Sequence, residues 1–411
     1  MLQLNSRAWV EIDLGAVQKN VAAIRALLGH QTALMAIVKA DAYGHGAVAV
    51  SQAAIAAGAS WLGVATPSEG VELRNAGITA PILILATVSD REQLKTIAEF
   101  RLQPTLAYEQ QVVIANRVAS ELGLVLPVHL KIDTGMSRLG VNWQGAASLV
   151  ELVESLPCLE LSSIYSHLAT ADQSDSDFVY EQRRRFELVR TGIERMYGQS
   201  ESFNSCSPET EFRPELSSPP HVRVNSPFMH LSNTAAMLTD AALHYDMVRV
   251  GLGLYGFCPA EHLADRICLT PVMEVKARVM QIKSLSPGTG ISYGHSYVCD
   301  RPTRIAVVGI GYADGIPRLL SNRFSVWIKG QLAPQVGMVT MDQCMVDVTE
   351  IDDLKVGDVV TVLGKEPGIT AADWASVIGT IPWEILCGFK HRLPRLYLNG
   401  KNFSLDAFLI N

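Results

Sequence analysis

Basic residues are in the minority in this chain: 34 lysines and arginines stand against 41 acidic residues, leaving a net charge of −7 and a pI near 5.8. They nowhere gather into a basic block, so neither nucleic acid nor an anionic membrane is an expected partner. Cysteine is sparse as well. Its seven copies (Cys158, Cys206, Cys258, Cys268, Cys299, Cys344 and Cys387) are odd in number and never spaced Cys-x-x-Cys. That supports neither a disulfide framework nor a structural zinc site, and no metal is expected. The first residues lack the apolar core of an export signal, and no apolar run approaches membrane-spanning length, so a reducing cytoplasm is the expected location. Charged residues make up only 18% of the chain and hydrophobic ones 48%. There is ample material for large cores, and 411 residues favour two domains over one.

What is present has two grammars. Asp13 reads as an N-cap for a first helix with Leu14, Val17, Val21, Ile24 and Leu28 on one stripe. Strand-like runs then alternate with helical stretches, the runs falling at 34–40, 61–65, 81–87, 103–107, 127–133, 160–167, 228–233 and 247–252. Helical patterns lie between them, as at 109–123 and 179–197. Eight β/α units in this span fit a (β/α)8 barrel, although a doubly wound open sheet has the same local signature. One connection, 199–227, is rich in serine and proline without an apolar period, and reads as a mobile surface insertion. From about residue 267 the pattern changes to period two, with strand candidates at 273–280, 305–310, 325–328, 345–348 and 359–363, and helical signal only at 370–379. The expected fold class is α/β: an N-terminal (β/α)8 barrel over 10–265, with 1–9 and 266–411 forming a mainly β C-terminal domain.

In a barrel, chemistry gathers at the C-terminal ends of the strands. Here those ends carry Lys39 and Tyr43, then Lys131 and Arg138, then His167, Asn233 with Thr234, and Arg249 followed by Gly251 and Leu252. Each has an ordinary reading: a strand-end lysine reaching water, a salt-bridged Lys131, a core histidine, a helix N-cap at Asn233, a structural ion pair at Arg249. Their joint placement at one mouth favours an anionic, planar, electron-accepting ligand. A lysine there would have its pKa lowered by burial, which is how a lysine becomes a Schiff-base former.

The strings that carry these residues resemble the alanine racemase family. They are AIVKADAYGHG around Lys39, KIDTGMSRLG around Lys131, SHLATAD around His167, MVRVGLGLYG around Arg249, ISYG at Tyr293, GIGYADG at Tyr312 and MDQCM at Met341. The resemblance runs in order from about residue 7 to 397. It implies a pyridoxal 5'-phosphate (PLP) enzyme that interconverts L- and D-alanine through a PLP aldimine and supplies D-alanine for peptidoglycan. It also implies a head-to-tail homodimer with shared active sites. By the same resemblance Lys39 is the cofactor anchor and the base on the D-alanine face, and Tyr293 of the partner subunit is the base on the L-alanine face. Arg249 faces the pyridine nitrogen, His167 stacks on the ring, and Arg138 lies near the phenolic oxygen. Tyr43, Asn233, Thr234, Gly251 and Leu252 bind the cofactor, most of them at its phosphate. Lys131 matches a lysine that is often carbamylated. Met341 helps hold the substrate carboxylate, with Asp342 beside it, and Tyr312 and Arg318 line the access channel.

One string departs from the family. Where relatives carry a tyrosine that contributes to the phosphate site, this chain reads Ile381-Pro382-Trp383-Glu384. Trp383 offers an indole N–H in place of a phenol and is bulkier, so alanine is expected over larger amino acids. An alanine/serine racemase of broader specificity is the nearest alternative. A PLP decarboxylase of the same fold is another, although it would use a carboxylate where Arg249 stands.

Overall fold

The computed structural model describes residues 6–201 and 227–399. The Ser/Pro-rich stretch singled out above lies, apart from its ends, outside the described residues, as do residues 1–5 and 400–411 of the expected second domain.

Eight parallel strands form the first body: Ala33–Ile37, Trp61–Val64, Ile82–Thr87, Gln103–Leu106, Leu126–Asp133, Leu159–Tyr165, Phe228–His230 and Met247–Val250. The first seven pair each with the next, and the eighth pairs with the first, Met247 lying opposite Ala33. The remaining seam is closed by single bonds, Asp246 N–H to Met229 O at 3.1 Å and Arg249 N–H to Ser232 O at 3.0 Å. The sheet is therefore a barrel, and the open-sheet alternative falls. The first helix, Leu14–Ala26, starts where the sequence places it, with the Asp13 carboxylate accepting from Ala16 N–H. Its stripe of Val17, Val21 and Ile24 is fully buried.

The second body is a sheet in which Met273–Leu285 is the central, bent strand. It pairs antiparallel with Ala8–Asp13, Val359–Leu363 and Thr303–Val308. Arg395–Leu398 adds a parallel edge next to Ala8–Asp13. Helix Ala371–Ile378 has a Thr370/Asp373 capping box and ends on left-handed Gly379, matching the sequence signal. A second helix in this body, Pro382–Gly388, was not expected. Its start signal is present, with Pro382 at the first turn and Glu384 close behind, but seven residues are too few to show a period.

Two first-strand details differ from expectation. The strand stops at Ile37, not at Ala40, and Lys39 opens a turn. In that turn Ala40, Asp41, Ala42 and Tyr43 have φ of 54°, 53°, 51° and 54°. These are four consecutive L-residues in left-handed helical geometry, a conformation costing roughly 1–2 kcal/mol at each. Strain of that kind persists only where the surroundings over-determine it, and it concentrates at functional sites.

Candidate active site

Lys39, Lys131, Arg138 and Arg249 act on one another electrostatically at the C-terminal mouth of the barrel. The Lys39 ammonium has its pKa held below the ordinary value, first by burial and then by Arg138. Lys131 is pulled down to about 8, by burial and by Arg249, Arg138 and Lys39. Among the described residues none of the four forms an ion pair with a carboxylate. The acids nearby are committed elsewhere. Glu69 accepts from Ala40, Ala65 and Thr66 N–H, and Asp133 accepts from Gly135 and Ser137 N–H. Glu69 offsets part of the charge at Lys39 and Asp133 part of that at Lys131, and a cation cluster without a directly paired carboxylate favours an anion.

Arg249 is 4% exposed. Its Nη2 donates to Ser166 O at 2.7 Å, Leu231 O at 3.1 Å and His167 Nδ1 at 3.2 Å, and its Nη1 donates to His230 Nδ1 at 3.1 Å. A guanidinium only donates, so both histidines accept at Nδ1 and carry their proton at Nε2. From His230 the chain of bonds continues through the barrel interior. His230 Nε2 lies 2.8 Å from Ser163 Oγ, which is 2.5 Å from His129 Nδ1, and His129 Nε2 is 2.5 Å from Gln103 Oε1. One direction of donation satisfies every link, from Arg249 to Gln103. Burial keeps all three imidazoles neutral: His129 and His167 are pushed down to about 3, and His230 is held well below its ordinary value. Tyr165 stacks on His230 with ring centroids 4.8 Å apart, and its face receives Lys131 Nζ at 5.5 Å and the Arg249 guanidinium at 5.3 Å.

Beside this lies a cradle. Thr234 Oγ1 accepts from Gly251 N–H at 3.2 Å, and Asn233 caps the helix Thr234–Thr239. A Cβ on Gly251 would meet the Tyr43 hydroxyl at 2.9 Å, so only glycine allows this approach. Leu252 follows in a short 3-10 turn. The structure thus brings together Lys39, Tyr43, Lys131, Arg138, His167, Thr234, Arg249 and Gly251. Trp383 is half-buried on the helix Pro382–Gly388, which packs against the 39–44 turn.

The remaining sequence candidates sit apart, on the surface of the β body. Tyr293 is 71% exposed, in a short turn where Ser292, Gly294 and His295 all have positive φ. Met341 is 53% and Tyr312 41% exposed. Tyr312 and Ala313 N–H bond to Thr340 and Met341 O at 3.0 Å, while Asp342 pairs with Arg392. Tyr312 and the exposed Arg318 line a cleft of about 520 Å³ that reaches Gly388.

The sequence reading missed Tyr165, His230, Ser163, His129 and Gln103. Alternation of polar and apolar residues along LPVHLKID was a signal for His129 alone, and the other four had none. Among the described residues, no group of three or more His, Cys, Asp or Glu could hold a metal ion, and no helix is long and apolar enough to cross a membrane.

A parallel barrel with a cationic mouth free of directly paired carboxylates and a glycine-dependent cradle, joined to a mainly β body, defines a barrel enzyme that works with an anionic ligand. The comparisons narrow this. Residues 12–224 and 211–259 match the alanine racemase N-terminal domain, and residues 272–397 match the alanine racemase C-terminal domain. The alanine racemase of Synechocystis sp. is 51% identical over 397 residues, covering 96% of this chain and all of that one. Among solved structures, the alanine racemase of Clostridium difficile superposes with a TM-score of 0.85 at 33% identity, over 96% of this chain and 97% of that one. That of Bartonella henselae, solved with covalently bound pyridoxal phosphate, gives 0.80 at 26% identity, over 96% of this chain and all of that one. This chain belongs to the alanine racemase family, and is a PLP-dependent racemase.

Proposed function

We propose that the chain interconverts L- and D-alanine, with PLP held at the barrel mouth and two bases acting from opposite faces, one of them from a partner subunit. The observation that carries this is Arg249: a buried guanidinium without a carboxylate, in a cluster of four cations beside a cradle that a single Cβ would fill. These residues fit an anionic cofactor. Lys39 would anchor it, Tyr43, Thr234, Gly251 and Leu252 would receive its phosphate beside Asn233, His167 would lie against its ring, and Trp383 would border it. When bound, PLP supplies an electron sink for the pair left behind as the Cα–H bond breaks.

The protein residues do the rest. Lys39 takes or returns the proton on the D-alanine face, helped by burial and Arg138, which favour its neutral amine. Tyr293 of the partner subunit serves the L-alanine face. Its exposure in the single chain accords with that role, under which the homodimer would be the active unit. Arg249 cannot readily yield a proton, even with its pKa drawn down to about 10 by burial. It therefore restrains the electron sink and limits side reactions. It also disfavours a decarboxylase, which would place an acid there. Met341 and Arg138 hold the substrate carboxylate, with Asp342 fixing the Met341 loop, and Tyr312 and Arg318 shape the channel. Lys131, neutral in good part near its pKa of about 8, is suited to add carbon dioxide as a carbamate, releasing one proton. That would place an anion between Arg138 and Arg249. Division into 10–265 and 1–9 with 266–411, a cytoplasmic location and supply of D-alanine to peptidoglycan belong to the same reading.

Incubating L-alanine with enzyme and PLP in deuterated water tests it. Both enantiomers should appear carrying deuterium at Cα, without release of carbon dioxide. Lys39→Ala should abolish turnover, and Tyr293→Phe should lower kcat/KM equally in both directions, as an equilibrium constant of one requires, while slowing deuterium exchange at Cα of L-alanine more than of D-alanine. Full activity in Lys39→Ala, or unchanged rates both ways after Tyr293→Phe, would refute the assignment.

A further inference from the structure

In the left-handed turn at 40–43, Ala42 N–H bonds Val38 O at 2.9 Å and Ala42 O accepts from His45 N–H at 3.1 Å, while side chains and the residues that follow supply the other bonds. Glu69 accepts from Ala40 N–H at 2.8 Å. Asp41 Oδ1 accepts from Ala47 N–H at 2.8 Å, and Asp41 O from Gly46 N–H at 3.0 Å. Two side chains take the carbonyls that follow. His45 Nδ1 lies 2.9 Å from Ala42 O and 3.0 Å from Tyr43 O. Arg395 Nε donates to Gly44 O at 2.9 Å while its Nη2 reaches Phe389 O at 3.0 Å and lies 3.6 Å from the Asp41 carboxylate.

His45 is fully buried. Since both partners of Nδ1 are carbonyls, Nδ1 carries the proton, and Nε2 is left without a partner. Its ring packs on Tyr255 at 4.5 Å, and Tyr255 in turn packs on Tyr43 at 4.9 Å and bonds to Ile37 O at 2.8 Å. One imidazole therefore braces the Tyr43 backbone directly and its ring through Tyr255. Arg395 comes from the β body, from a strand paired with Ala8–Asp13. It straps that body to the loop that bears Lys39.

We propose that His45 and Arg395 are positioning residues, whose bonds to the carbonyls of Ala42, Tyr43 and Gly44 hold the turn left-handed and so place the Lys39 amine and the Tyr43 hydroxyl on the cofactor cradle. The proposal rests on the reading of Lys39 and Tyr43 as cofactor residues. Neither positioning residue touches substrate. They act through the backbone of the turn, and the family's two bases remain Lys39 and Tyr293.

The donor's position along the side chain provides the test. An asparagine amide nitrogen stands the same number of bonds from Cα as histidine Nδ1, and a glutamine amide stands one bond further. His45→Asn, His45→Gln, His45→Leu and Arg395→Met would be compared with the parent enzyme as apoprotein. PLP dissociation constants would be read from tryptophan fluorescence, and kcat and KM for alanine from the reconstituted dimer. His45→Leu should weaken PLP binding and lower kcat at least tenfold each, with KM changed less than threefold. His45→Asn should stay within threefold of the parent, and His45→Gln should behave like leucine. Arg395→Met should weaken PLP binding at least fivefold. PLP affinity within twofold of the parent in folded His45→Leu would overturn the proposal, as would indistinguishable Asn and Gln variants. The Asn and Gln pair decides the matter even if the leucine variant does not fold. Were the parent to bind PLP and fail to racemise alanine, the functional reading would fall while the affinity series still judged the strap.

Discussion

Replacing Ala40 by glycine should make this protein more stable, against the usual outcome for an alanine inside a helical turn. At φ 54° and ψ 50°, Ala40 is in the left-handed region. That conformation costs an L-residue about 1–2 kcal/mol. Glycine escapes that cost and pays roughly 0.5–1 kcal/mol through its greater freedom in the unfolded chain. Ala40 is exposed, so its methyl contributes little packing, and its N–H keeps the Glu69 bond in either variant. The net expectation is a gain of about 0.5–1 kcal/mol. Ala42 has nearly the same dihedrals, φ 51° and ψ 50°, but is fully buried. Losing its methyl forfeits about a further 0.8 kcal/mol, so Ala42→Gly should be near neutral. Guanidinium unfolding of both apoproteins, compared at equal slope, measures the two changes. An Ala40→Gly variant no more stable than the parent, or one less stable than Ala42→Gly, would refute the claim that handedness is the source of strain.

Gly251→Ala should weaken PLP binding at least tenfold while leaving thermal unfolding of the apoprotein little changed, because the added Cβ meets only the Tyr43 hydroxyl at short range. Equal PLP affinity would show that the cradle is elsewhere. The buried histidines set a pH limit. His45 is depressed to about 4 and His129 and His167 to about 3, all by burial, from an ordinary 6.5. The unfolded chain therefore binds these protons first, so stability is fully present above pH 6.5 and is lost as pH falls toward 4. Unfolding midpoints should drop steeply across that window in the apoprotein, and a flat profile from pH 6.5 to 4 would contradict neutral imidazoles in the barrel.

The barrel was legible because each strand is a short apolar run bounded by turn residues, and because parallel strands buried on both faces read continuously. The strand ends were legible as a polar set for the same reason. The turn at 39–44 was not. Neither Ala40 nor Ala42 differs in type from a right-handed residue, and of the groups that hold them only His45 is near in sequence, Glu69 and Arg395 being remote. Arg395 lies some 350 positions away in sequence. The chain from Arg249 to Gln103 escaped notice similarly: its members come from five different strands, and each alone is an ordinary buried polar residue. Helix Pro382–Gly388 was missed through its length, and with it the packing of that helix on the turn.

In stereochemical terms, residues 40–43 are a short piece of mirror-image backbone set into an otherwise ordinary L-chain. For a D-amino acid the same φ and ψ would be the most comfortable helix available. A chain assembled by ligation with D-alanine at 40 and 42 would have no conformational objection to this turn. The four L-residues accept it only because neighbours on all sides hold it. Lys39 is thus carried by a segment whose natural hand is the opposite of the one it wears, and any change that loosens those neighbours should be felt first there.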